Sequence, residues 1–90
     1  MRVISQDGTM DFSYEMSTIF IYGAIENAIA IQPVGDSEVS IIGRYSSKEK
    51  ATKAMEMLRE AWINEAIEFT HGIYHRNIVF QFPQDDEIEV

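Results

Sequence analysis

The chain reads as an α+β domain: an antiparallel β-meander, one long amphipathic helix packed on one face of it, and a C-terminal return strand. Three observations carry this reading. Up to Arg44 the apolar residues come in short β-branched and aromatic runs, separated by Gly, Asp, Asn and Pro. After Ser46 the apolar spacing switches to three and four. Alternation then returns in "NIVFQF", with Ile78, Phe80 and Phe82 on one face, and stops at Pro83.

Each element follows from its residues. "RVIS" and "TMDFSYE" flank Asp7-Gly8. Asp-Gly between two β-prone runs signals a hairpin, because both central residues tolerate positive φ. "STIFIYG" is a strand ending at Gly23, and "ENAIAIQPV" is a strand closed by Pro33 and the turn "VGDSE". "EVSIIGRYS" is the next strand. The joins are short, so neighbouring strands are expected to pair in sequence. Ser46 and Glu49 match a Ser-x-x-Glu capping box. Behind it, Ala51, Ala54, Met55, Leu58, Ala61, Trp62, Ala66 and Phe69 form one stripe. That stripe predicts a helix of about 23 residues, with Gly72 as its C-terminal cap. Lys48, Lys50, Glu56, Arg59, Glu60 and Glu65 fall on the other side. Residues 1–82 are then one domain, and 83–90 a frayed acidic tail.

Composition narrows the function classes. Ninety residues make one domain, burying only about 60–65% of its unfolded surface, so association is a natural supplement to its stability. There is no cysteine, which removes disulfides and thiolate metal sites and points to a reducing cytoplasm. No apolar run approaches the ~20 residues that cross a bilayer, and "MRVISQDG" turns polar too soon for a signal peptide. A net charge of −8 disfavours direct nucleic-acid binding. Asp85, Asp86, Glu87 and Glu89 put half of that excess at one end.

The candidate chemistry is sparse. "SQDGT" approaches the Asp-x-Asp-Gly-Thr nucleophile loop of haloacid-dehalogenase-type phosphatases, but Ser5 stands where the nucleophilic aspartate belongs. Serine supplies no carboxylate to form an aspartyl-phosphate or hold magnesium, so a hairpin turn is the expected role. His71 and His75 are spaced by four, with Gly72 between them and no Glu completing a metal motif. Ser46 and Ser47 have no acid–base partner in sequence, Asp85-Asp86 reads as solvated, and no Gly-rich phosphate loop occurs. Neither catalysis nor a cofactor is expected.

The cations are distributed unevenly. All three lysines fall on the helix, whereas Arg2, Arg44 and Arg76 lie on or beside strands. Arginine suits bidentate phosphate recognition and stacking on bases. Tyr45 adjoins Arg44, Tyr74 and the Asn77 amide adjoin Arg76, and Trp62 sits on the helix. A nucleotide-type ligand could take Arg2, Arg44 and Arg76 on phosphates, with Tyr45, Tyr74 or Trp62 stacking on a base. The competing role is cross-strand pairing of these arginines with Asp11, Glu15 or Glu38. Met57, Ile63 and Ile67 fall off the main helical stripe, which leads us to expect a homo-oligomer, a dimer or higher.

"MRVISQDGTMDFSYE", "YSSKEKATKAMEMLREA" and "VFQFPQDDEIEV" together resemble a family of small accessory proteins encoded by phages and prophages of Gram-positive bacteria. The resemblance covers about half the chain. Such proteins are frequently counter-defence factors, and the Thoeris anti-defence sponges are the nearest comparison. What this implies is a non-enzymatic, cytoplasmic protein of an infected or lysogenic host that binds and sequesters a nucleotide immune signal. The alternative is an acidic inhibitor that occupies the basic groove of a host defence protein or nuclease.

Overall fold

The computed structural model describes residues 1–64 and 78–90, with the backbone of residues 66–69 and 72–75. The architecture is α+β. Strands β1 (Arg2–Ile4), β2 (Asp11–Ser13), β3 (Ser17–Tyr22), β4 (Ala28–Pro33) and β5 (Ser40–Arg44) precede the helix α1 (Lys48–Asn64). After it come β6 (Ala66–Phe69), β7 (Gly72–His75), β8 (Val79–Gln81) and a 3-10 turn at Asp85–Glu87.

The expected meander is divided. β3-β4-β5 forms one antiparallel sheet, and β2-β1-β8 forms another. β2 does not pair with β3, because the three residues between them make a turn closed by Met16 N–H on the Ser13 carbonyl. Tyr14, within that turn, packs against the core. The return strand β8 lies parallel to β1, with Val3 beside Phe80. Alternation sets the faces of this sheet: Val3, Phe12 and Phe80 point inward, while Arg2, Asp11, Ser13, Val79 and Gln81 are exposed.

In the larger sheet, Ile29 and Ile31 of β4 are fully buried against the core, with Ile19 and Ile21 opposite them on β3. On the outer face Ala28 and Ala30 are also fully buried, each between larger side chains at paired positions. Tyr22 and Arg44 flank Ala28, and Phe20 and Ile41 flank Ala30. Ala51, Ala54 and Leu58 of α1 close the core with Ile42, Tyr45, Phe82 and Ile88.

Two expectations about α1 are corrected. Its cap is Ser47, whose Oγ accepts from Lys50 N–H at 3.2 Å, while Ser46 N–H donates to Asp85 Oδ1 at 2.7 Å. The helix also ends at Asn64, and Ala66 and Phe69 belong to a β6–β7 hairpin that pairs Phe69 with Gly72. Ile67 and Phe69 satisfy alternation as well as helical spacing, and β-branched and aromatic residues favour the strand. Gly72 is therefore a strand residue and not a helix cap.

The C-terminal segment is docked and does not fray. Tyr45 Oη donates to the Pro83 carbonyl at 2.8 Å, and Lys50 Nζ donates to the Asp85 carbonyl at 2.8 Å. Gln84 N–H donates to Glu87 Oε1 at 2.7 Å, and Ile88 is 4% exposed. Acidity concealed this from composition: the apolar anchor is a single isoleucine.

Ile88→Ala should cost about 2–4 kcal/mol, the range for truncating a buried aliphatic side chain, and lower Tm by about 10 °C or more. Tyr45→Phe should cost less, about 0.5–1 kcal/mol, because the Pro83 carbonyl still accepts from Gln6 Nε2. Thermal melts of both variants check this; a wild-type Tm for Ile88→Ala would mean that the segment is not packed.

Candidate functional site

Among the described residues a groove with one cation and one aromatic ring in its lining lies between β3 and α1. It has a volume of about 270 Å³ and is lined by Tyr14, Ser17, Ile19, Met55, Leu58 and Arg59. Helical spacing creates one wall, since Met55, Leu58 and Arg59 are within three or four residues of one another and share a face. Strand alternation creates the other, placing Ser17 and Ile19 on the same side of β3. At the end of the groove Tyr14 stacks on Trp62, with ring centroids 4.9 Å apart and planes inclined by 33°. Burial of this aromatic pair against the core fixes its orientation. Arg59 is exposed, and its guanidinium has no hydrogen bond or ion pair among the described residues; neighbouring Glu56 instead faces Lys53 at 3.9 Å.

Other hollows occur among the described residues, one of about 320 Å³ between Gln81, Phe82, Pro83, Gln84 and Glu87, with no cation in its lining. Another, about 480 Å³, lies open on the helix surface between Lys48, Glu49, Thr52, Lys53, Glu56 and Val90. It carries both charge signs and no aromatic ring. A cleft of about 210 Å³ beside Arg44 is lined by Gln6, Asp7, Ile41, Ile42 and Gly43.

The strand arginines behave differently from one another. Arg2 is ion-paired with Asp11 across β1 and β2, the cross-strand role that competed with ligand binding. Arg44 ends β5, with its backbone N–H and carbonyl both taken by the Gln6 side chain and its own side chain exposed. Arg2 is absent from the cleft beside Arg44. Tyr45 is no stacking platform: it is 6% exposed, and its ring packs against Gly43, where an added Cβ would meet it at 3.3 Å. Burial, then the nearby Asp85 and Glu87, push its phenol well above the usual range, so it stays a neutral donor. Trp62 lies beside the groove, as a partner of Tyr14. Tyr74 sits on β7 opposite Ile67. Its side chain, that of His75, and the residues His71, Arg76 and Asn77 lie outside the described residues. Sequence reasoning missed Arg59, Tyr14, Ser17, Ile19, Met55 and Leu58. The Arg59-x-x-Trp62 spacing was the available signal for the first of them.

The phosphatase-like stretch is a closed turn. Ser5 is 1% exposed; its Oγ donates to Asp7 Oδ1 at 2.7 Å and accepts from Met10 N–H at 3.0 Å. Thr9 donates to the same Asp7 oxygen through N–H and Oγ1, at 3.0 and 2.7 Å. Only Gly8 takes positive φ here, at 77°, so the turn uses the Asp7 carboxylate where a two-residue hairpin would need a second left-handed residue. Those hydrogen bonds, first from Ser5 and then from Thr9, lower the Asp7 pKa to about 2.

No protein-family model, curated protein or solved structure matches the chain. Among the described residues no helix is long and apolar enough to cross a membrane.

Asp7 gives a pH prediction. Its folded pKa of about 2 lies below the unfolded value of about 3.9. The stabilisation is therefore present above pH ~4 and is lost as pH falls toward ~2. Asp7→Asn should melt below wild type at pH 6, and the gap should close over that interval. Melts at stepped pH check it; a gap unchanged down to pH 2 would show that the charge plays no part.

Proposed function

We propose that the protein is a non-enzymatic binding protein that captures a nucleotide-type ligand in the groove between β3 and α1. In this reading it acts inside an infected or lysogenic bacterial host as a phage-encoded counter-defence factor, sequestering a nucleotide immune signal. One observation carries the binding reading: the guanidinium of Arg59, unpaired among the described residues, stands at a groove lined by Ile19, Met55, Leu58 and Tyr14, and Tyr14 packs on Trp62. A heteroaromatic base gains about 1–3 kcal/mol from an aromatic platform, and a guanidinium matches the phosphate oxygens in a bidentate way. The lining supports capture over cleavage. Among the described residues it has no carboxylate, histidine or cysteine beside the Ser17 hydroxyl.

The acidic-inhibitor alternative has less support. Two of the four C-terminal carboxylates are committed internally, Asp85 to Ser46 N–H and Lys50, and Glu87 to Gln84 N–H. They are not arrayed as a row of phosphate substitutes.

The test is a thermal-shift panel of cyclic dinucleotides, cyclic trinucleotides and cyclic ADP-ribose isomers. A ligand at a hundred times its Kd should add about 2.7 kcal/mol, a shift of several degrees or more. Arg59→Ala should remove the shift and Trp62→Phe should weaken it, whereas Arg44→Ala should leave it intact. A flat panel, or a shift that depends on Arg44 and not on Arg59, overturns the proposal.

A further inference from the structure

The outer edge of β3 is open. Among the described residues β3 pairs with β4 on one side and with no strand on the other, and β6 and β7 form a sheet of their own. Six residues long, β3 reads Ser-Thr-Ile-Phe-Ile-Tyr, with no charge, no proline and no bulge against β4. Proteins normally blunt such an edge, since its unpaired backbone donors and acceptors invite another strand. The other edges of the two three-stranded sheets show that blunting. β2 and β8 have three residues each, and β2 carries Asp11. β5 is plugged by Gln6, whose backbone N–H donates to the Ile42 carbonyl at 2.7 Å and whose side chain takes both backbone groups of Arg44. Exposed apolar side chains lie at both ends of β3: Met16, 57% exposed, precedes it and its carbonyl accepts from the N–H of Val34, 68% exposed, while Ile21 near the far end is 42% exposed.

We propose that β3 pairs with the β3 of a second copy, antiparallel about a two-fold axis, to make one continuous six-stranded sheet. The second copy is the occupant because charge permits it: half of the net −8 sits at the C-terminal end, β3 carries no charge, and two copies meet along it without like-charge repulsion. An antiparallel edge is also self-complementary under a two-fold axis. Opposed residues share a face, so the axis passes through Ile19 or Phe20; Ile19 and Ile21 stay on the helix side and Phe20 and Tyr22 on the outer side.

This pairing has a consequence for the binding groove, and that part rests on the function proposed above. A two-fold axis perpendicular to the sheet puts both helices on the same face. The two grooves, each walled by Ser17 and Ile19 of β3, then face each other across the axis. A single groove of about 270 Å³ is smaller than the ~300–1,000 Å³ of ordinary ligand sites. Two joined grooves reach that range and bring an Arg59 from each copy to one ligand, which suits a molecule with two separated phosphates, such as a cyclic dinucleotide.

Sedimentation equilibrium of the full chain, with and without cyclic di-GMP or cyclic di-AMP as probe, tests the proposal. Wild type should weigh twice the 10.3 kDa chain mass. Ile21→Lys and Thr18→Lys, both at exposed edge positions, should sediment as monomers with wild-type circular dichroism. Arg59→Ala should remain a dimer. A wild-type monomer at 100 μM, or dimers that survive both lysine variants, overturns the pairing. If the dimer forms and the whole nucleotide panel fails to bind, the binding function falls and the pairing stands. Tight binding by a monomeric lysine variant would break the link between them and overturn the shared site.

Discussion

Gln6 holds the two sheets and the C-terminal segment together. Its backbone N–H reaches Ile42 of β5, and its carbonyl accepts from Gln84 Nε2 at 2.6 Å. Its side-chain amide donates to the carbonyls of Arg44 and Pro83 and accepts from Arg44 N–H. One residue after β1 thus ties β5, the chain after β8, and the 3-10 turn. These bonds are exposed or partly buried, so each contributes about 0.5–1.5 kcal/mol, together a sizeable share of the stability of a domain this small. The closed turn of Ser5, Asp7 and Thr9 follows directly and fixes the direction in which Gln6 leaves β1.

With that clamp on one side of the larger sheet, β5 is satisfied and β3 is the edge left open. The helix lies on the inner face, and its fully buried Ala51 and Ala54 bring its first half close to the core. Met55, Leu58 and Trp62 are larger, and between them and β3 the groove remains. The groove and the open edge thus share β3 as a common wall. Among the described residues, Gln6 closes one edge of this sheet and the proposed groove and the open edge lie together on the other side.

Much of the fold was legible in the residues. Asp7-Gly8, Pro33 and the switch of period after Ser46 located the first hairpin, the end of β4 and the start of α1 to within a residue or two. The end of the helix was not legible. Ala66 and Phe69 continue a three-four spacing while Ile67 and Phe69 also alternate, and periodicity cannot separate the two over so short a span. The docking of Ile88 was hidden because four carboxylates surround one isoleucine, and window composition weighs the carboxylates. The candidate site was legible only in type. The sequence pattern sought arginine with aromatics, and strand position drew attention to Arg2 and Arg44. Asp11 neutralises the first, and Tyr45 beside the second is buried. Arg59 was assigned to the solvated side of the helix, although it borders Trp62 on one helical face.

The chain has a single tryptophan, and it adjoins the groove. Titrating a cyclic dinucleotide while recording the Trp62 indole N–H resonance by NMR is therefore the most direct measurement. Binding in the groove should move or broaden that resonance saturably, together with the backbone signals of Ser17, Ile19 and Arg59. Saturable shifts confined to the residues around Arg44 and Asp7, with the indole unmoved, would contradict the assignment of the site.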